Sequence, residues 1–167
     1  MANSQATETT LDSRVVDIRR TTKVVKGGRA FSFSATAVVG DGNGTIGYGR
    51  GKAKEVTIAI QKATDNARRN MKKIRLTQDG TIHHPIHAEH GATSVMMKPA
   101  ASGTGIIAGG AMRDVFEVLG MSNISAKITG SANPSNVIIA TVDGLVNMLT
   151  PESIAAKRGK RVEEIME

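Results

Sequence analysis

The sequence predicts an α+β protein made of two small α/β domains, and three observations lead there. Phe31, Phe33, Ala35, Ala37 and Val39 alternate with Ser32, Ser34 and Thr36, the period-two pattern of a half-buried strand. Asp41-Gly42-Asn43-Gly44 then supplies residues that accept positive φ, so a tight hairpin and a second strand follow. Near Gln78-Asp79-Gly80 the composition shifts, and beyond it strand and helix signatures alternate.

In chain order, residues 1–12 have neither a basic nor an apolar run of the secretory kind. They are expected to form a disordered tail, with the cytoplasm as the default compartment. Residues 13–76 form the first domain. Val15–Val25 reads as a strand, the alternating strand and hairpin come next, and a helix is expected from about Lys54 to Met71. Val56, Ile60, Ala63, Ala67 and Met71 mark its apolar stripe, with Ala59 beside it. Residues 77–84 are read as the linker, and 85–167 as the second domain. That domain opens with short strands at Pro85–Ala88 and Thr93–Met97. A glycine-rich run, 101–110, leads into a helix with Met112, Val115, Phe116 and Leu119 inward and Gly120 as C-cap. A strand at Ile124–Ile128 follows. Asn133-Pro134 starts a helix, with a capping side chain and proline in the first turn, that turns Val137, Ile138, Thr141, Leu145 and Met148 inward. Thr150-Pro151 opens a last helix ended by Gly159, with a basic 157–161 knot behind it.

Charge is uneven. Within a net +7, residues 13–76 hold 15 Lys/Arg against 4 Asp/Glu, and residues 77–167 hold 7 against 9. A polyanionic partner for the first domain follows, since a surface built only for solubility mixes both signs. Lys26, Arg29, Arg50, Lys52 and Lys54 fall at strand ends and the helix start; Arg68, Arg69, Lys72 and Lys73 fall at the helix end. The latter also complement the helix dipole. With only Phe31, Phe33, Phe116 and Tyr48 as aromatics, a nucleic-acid partner would be read through backbone and shape, which suits structured RNA. The chain has no cysteine, so disulfides and thiolate metal sites are excluded, and no apolar run approaches a membrane span of roughly 20 residues.

Three motifs invite chemistry. Gly42, Gly44 and Gly47 have dinucleotide-fingerprint spacing, but a strand rather than a helix follows, so the match is accidental. Gly105 and Gly110 have Walker spacing, but Ala111-Met112 replace the Lys and Ser/Thr. That run leaves two readings open: a phosphate site assisted by Arg113, or close packing against a neighbouring protein or strand. His83, His84, His87 and His90 cluster around Pro85, which breaks any helix that would align them. Exposed linker histidines are the preferred reading, and metal coordination is the weaker alternative. No catalytic constellation and no cofactor are expected.

The runs Lys26–Arg29, Val38–Gly44, Gly49–Val56, Gly103–Arg113, Gly130–Pro134 and Ala155–Lys160 together resemble bacterial small-subunit ribosomal protein five, in the same order and over nearly everything after residue 13. Thr57 departs from that pattern, standing where the family commonly has proline. The resemblance implies a first domain like a double-stranded-RNA-binding domain, with three strands and one helix. It implies a second α/β domain with a left-handed βαβ crossover, against the usual hand. It further implies a cytoplasmic, ribosome-bound structural component without enzymatic activity. Such a component binds small-subunit ribosomal RNA and braces head against body. It touches ribosomal proteins four and eight, near the path by which messenger RNA enters. Arg20, Lys23, Lys26, Gly27, Gly28, Arg29, Arg50, Lys52, Lys54, Arg68, Arg69, Lys72, Lys73 and Arg113 would meet RNA. Thr22, Lys23, Lys26 and Gly28 would lie near the spectinomycin site. Gly103, Thr104, Gly105 and Arg113 would meet ribosomal protein four, an interface tied to translational accuracy. Two rivals stand beside this reading: a free-standing double-stranded-RNA-binding regulator, and a phosphate-binding enzyme built on the second glycine run.

Overall fold

The computed structural model describes residues 11–166. In the first domain β1 (Asp12–Val25), β2 (Gly28–Gly40), β3 (Thr45–Ala53) and the two-residue β4 (Lys72–Lys73) form an antiparallel sheet in that order, and α1 (Val56–Arg69) packs on it. In the second, β5 (Ile86–His90), β6 (Thr93–Pro99), β7 (Ile106–Ile107) and β8 (Ile124–Gly130) form a mixed sheet ordered β5-β6-β8-β7. β7 and β8 are parallel and joined through α2 (Gly110–Leu119), a βαβ unit. Then come α3 (Pro134–Val146), α4 (Pro151–Arg158) and α5 (Glu163–Met166). Among the described residues no single helix is long and apolar enough to cross a membrane.

α1 meets the sheet through very small residues. Gly47, Gly49 and Gly51 alternate along β3, and Ala59, Ala63 and Ala67 recur every four residues along α1. A Cβ on Gly47, Gly49 or Gly51 would lie 2.1, 2.3 or 2.2 Å from the carbonyl oxygen of Ala67, Ala63 or Ala59. The glycine spacing in β3 is thus the imprint of α1. The fingerprint-like glycines are, as the sequence indicates, a turn and a strand.

The opposite face of the sheet is covered by the second domain. Val38, Ile46 and Ile74 share one apolar cluster with Met97, Met112, Phe116, Leu119, Ile138 and Leu145. The hairpin turn docks on the end of α2: Gly42 and Gly44 donate N–H bonds to the carbonyls of Val118 and Leu119 at 3.2 and 3.1 Å. Gly120 caps α2 at φ 83°, and a Cβ there would sit 1.9 Å from the Gly42 oxygen. Asp41 shapes the turn by accepting from the N–H groups of Asn43 and Thr45, both at 2.8 Å. Burial opposes its ionisation, but the Thr45 hydroxyl and those N–H groups outweigh burial and hold its carboxyl below the ordinary value.

Several expectations need correction. The alternating strand is not half-buried along its length. Ser34, Thr36 and Val38 are buried as well, because α3 and the rest of the second domain cover their face, while Phe31 stays exposed. Asn133 occupies the N-cap position of α3 but its side chain does not cap; Oδ1 accepts from Arg19 at 3.0 Å instead. α1 is shorter than expected, and Met148 falls beyond α3. Thr150 fulfils its role in a reciprocal capping box with Ser153, and Gly159 ends α4 in the left-handed region. The expected tail lies outside the described residues up to position 10, while Asp12 already belongs to β1. Residues 77–84, read as the linker, are tied to the second domain, where Asn123 donates to the Asp79 carbonyl and Ser122 N–H to that of Gly80. His87 and His90 are exposed, whereas His83 and His84 are half-buried. His84 Nε2 accepts from Leu149 N–H at 3.2 Å with Nδ1 2.8 Å from the Pro85 carbonyl, the arrangement of the Nδ1-protonated tautomer. Among the described residues no three His, Asp or Glu side chains converge as a metal site requires.

Candidate nucleic-acid interface

β2 pairs with β3 only from Phe33 to Gly40, but with β1 all the way to Gly28. Residues 21–32 therefore project past the sheet as a two-stranded arm. Its strands are clasped by the hydroxyls of Thr21 and Ser32, 2.8 Å apart. Lys23, Lys26 and Arg29 are exposed on it, as are Thr22, Gly27 and Gly28. Space around Gly27 and Gly28 is open, so a bulky ligand can reach the backbone at the tip. Register sets the faces: Lys23 stands opposite Ala30 and Arg20 opposite Phe33, so these two cations point to opposite sides of the sheet.

At the root of the arm lie Arg50, Lys52 and Lys54. Arg50 and Lys52 pair with Thr36 and Ser34 on β2, and Arg50 Nε donates to Ser34 Oγ at 2.9 Å. Asn66 of α1 donates to the Arg50 carbonyl, fixing the edge of β3 against the helix. Together with Arg20 and the arm these cations make one group. Arg68 and Arg69 end α1, and Lys72 and Lys73 pair beside Thr45 and Ile46, at the other end of β3. The length of α1 separates the groups by ~20 Å, from a rise of ~1.5 Å per residue. Lys72 also reaches Asp143 of α3 at 3.4 Å, so part of its charge ties the domains together.

Arg113 belongs to neither group. Its Nε donates to Glu117 Oε1 at 2.9 Å, and Arg14 of β1 bonds the other oxygen of the same carboxylate. Those bonds, that to Arg113 foremost, hold the Glu117 carboxyl below its ordinary value. Its neighbour Asp114 goes the other way: burial raises it, and the Arg14 charge 3.6 Å away offsets only part. Arg14 sits ~30 Å along β1 from Lys23 at ~3.3 Å per residue, so Arg113 is remote from the arm.

The glycine run resolves into a loop held from within. Asn123 Oδ1 accepts the N–H groups of Gly103 and Gly105 at 3.0 and 3.2 Å, and Ile124 N–H donates to the Gly105 carbonyl. Those two amides are used inside the fold, and Ile106–Ile107 pairs with β8, which favours packing against a strand over a phosphate cradle. Gly103, Thr104 and Gly105 nevertheless face outward, the glycines with open space above them. Two structural residues escaped the sequence reading. Asn123 and Arg19 carry no motif, and only the fold brings them to their partners.

A two-domain α+β body with a shared core carries a cation-rich arm with no acid along it, a charge pattern of the kind that nucleic-acid-binding proteins present. The chain belongs to the ribosomal protein S5 family: residues 11–75 match the model described as ribosomal protein S5, N-terminal domain, and residues 88–158 match that of its C-terminal domain. It is 62% identical to small ribosomal subunit protein uS5 of Nitrosococcus oceani over 162 residues, covering 97% of this chain and 95% of that one. Its identity to the proteins of the same name from Coxiella burnetii and Chromohalobacter salexigens is 58% and 56%, covering 94% and 99% of this chain and 93% and 99% of theirs.

Proposed function

We propose that this chain is a structural, non-enzymatic component of the small ribosomal subunit, bound to the ribosome in the cytoplasm. It binds small-subunit ribosomal RNA through the arm and the cations at its root. The observation that carries this reading is the arm itself, where Lys23, Lys26 and Arg29 project from a rigid body with no carboxylate between Asp17 and Asp41. Arg68, Arg69 and Lys73 hold a second stretch of RNA backbone at the far end of α1. Two separated grips on one rigid body suit a brace between RNA segments, here the head and body of the subunit. The outward loop at Gly103–Gly105, with Arg113, is the contact for ribosomal protein four and the route to translational accuracy. Ribosomal protein eight and the path of messenger RNA lie nearby. Thr22, Lys23, Lys26 and Gly28 border the spectinomycin site.

A free-standing regulator is the weaker reading, because the first domain shares its core with the second. The test is sedimentation of cell lysate through a sucrose gradient. Co-migration with the small subunit after a moderate salt wash is expected, and recovery at the top of the gradient would overturn the proposal. With purified chain and small-subunit RNA, Lys26→Ala with Arg29→Ala should lower the slope of log affinity against log salt by up to about two. An unchanged slope would remove the arm from the interface.

A further inference from the structure

Of the four aromatic rings, Phe116 is fully buried, Phe33 and Tyr48 are half-buried, and Phe31 keeps 45% exposure. Phe31 stands on the arm opposite Thr22, and the guanidinium carbon of Arg20 lies 3.8 Å over its ring centre. The preceding Arg19 points to the other side and is engaged, 2.6 Å from Asp17 and hydrogen-bonded to Asn133. Arg20 is exposed and pairs with no carboxylate among the described residues. Residues 18–40 hold Arg19, Arg20, Lys23, Lys26 and Arg29 and no Asp or Glu. A chain poor in aromatics has thus put its exposed ring beneath a guanidinium, in its most cationic segment.

A guanidinium stacked on a ring is fixed as a flat plate. One face is taken by the ring, and the other offers a planar, weakly hydrated cationic surface. Flat π systems stack on such a plate, and in RNA these are bases released from helical stacking by a bulge or loop. A paired duplex keeps its base faces covered. We infer that Arg20 and Phe31 form a stacking platform for one unpaired RNA base, seated beside phosphates held by Arg29 on the same face and Lys26 at the tip, while Lys23 holds backbone on the opposite side of the arm. The inference rests on the RNA-binding reading above and adds a preference that phosphate contacts alone do not supply. An acidic peptide would be drawn by the same charge but brings no plate to stack.

The test uses the full chain and two RNA hairpins of equal length, each closed by the same non-nucleotide linker in place of a loop, one with a fully paired stem and one with a single bulged 2-aminopurine. The bulged hairpin should bind about tenfold tighter, the scale of one base stack, with its 2-aminopurine emission quenched on binding. Arg20→Lys keeps the charge and loses the plate, and Phe31→Leu keeps apolar bulk and loses the ring. Each should bring the bulged hairpin down to the affinity of the paired one and leave the salt slope of the paired one unchanged. Lys23→Ala should weaken both hairpins alike and lower the slope by about one. Equal affinity of the unaltered chain for the two hairpins, or a bulge preference that survives Arg20→Lys, overturns the platform and leaves the phosphate reading standing. Binding to neither hairpin at low salt overturns both. Specific capture of an acidic peptide that Arg20→Lys abolishes, without bulge preference, replaces the RNA base with a protein partner.

Discussion

The two faces of the first sheet are packed in opposite ways. Toward α1 the contact is made by Ala35, Ala37, Ala59 and Ala63 with the glycines of β3, so helix and strand backbones nearly touch. Toward the second domain Val38 and Ile46 join one buried cluster with Phe116, Met112, Leu119 and Leu145, and bulk rather than closeness fills the space. The apolar area removed from water per residue is far larger on the second face, and with it the hydrophobic stabilisation. The α1 face selects geometry, and the other face supplies most of the driving force. The first domain is therefore a domain by family and by topology, yet its bulkiest buried residues, Val38, Ile46 and Ile74, belong to a cluster that lies mostly in the neighbouring domain.

The strongest way to break this comparison is Phe116→Ala, a truncation of a fully buried ring in the cluster that the two domains share. It should cost about 3–5 kcal/mol and melt the chain in one transition when followed by urea and circular dichroism. A surviving transition for residues 11–75 would show that the first domain stands alone. The second test acts on the close-packed face. At Gly49→Ala the new methyl meets only α1 backbone, 2.3 Å from Ala63 O and 2.4 Å from Ala67 N, with no flexible side chain to yield. A loss of about 1–3 kcal/mol is expected, with α1 lifted from the sheet. An unaltered melting curve would mean the two backbones have room to part.

The smallest effect belongs to the ionic link across the junction. The Glu117 carboxyl is held below its ordinary value, so its contribution is full above the unfolded pKa and lost as pH falls through the lower folded one. Glu117→Gln should thus cost at most about 1 kcal/mol near neutral pH, and the difference from the unaltered chain should close in acid. Asp114 has the opposite sign: its raised value favours the folded state at low pH and loses that advantage as pH rises. A gap that stayed constant into acid would show that the charge on Glu117 contributes nothing at the junction.

The outline of this fold was legible because most of it is written locally. Alternation marks β2, Asp41–Gly44 marks the turn, Gly120 and Gly159 mark helix ends, and Thr150-Pro151 marks a helix start. What escaped was set by distant partners. Ser34 and Thr36 look like a solvent face and are buried because residues about a hundred positions later cover them. Asn133 looks like a cap, and Arg19 claims its side chain across the junction. β4 and β7 are two residues each, too short for any periodicity. The candidate cations were all visible by composition, but their division into two groups at opposite ends of α1, with Arg113 apart from both, required the sheet register and the fold. Phe31 looks like one more inward residue by alternation, because pattern alone cannot tell that β3 ends before reaching it.

The shared core also sets a timetable for synthesis. Ile46 and Leu145 belong to one buried cluster, so the basic half of the chain cannot complete its second face until 99 further residues have been made. At roughly 5–20 residues per second, that is a wait of ~5–20 s. During it Val38 and Ile46 lie open on a nascent segment whose arm is already cationic. Stalled nascent chains should gain protease protection over residues 11–75 only once α3 has left the exit tunnel, and protection at shorter lengths would refute this order. The newborn protein is then briefly a sticky polycation, which makes its own last third, ahead of any chaperone, the natural cover for its first.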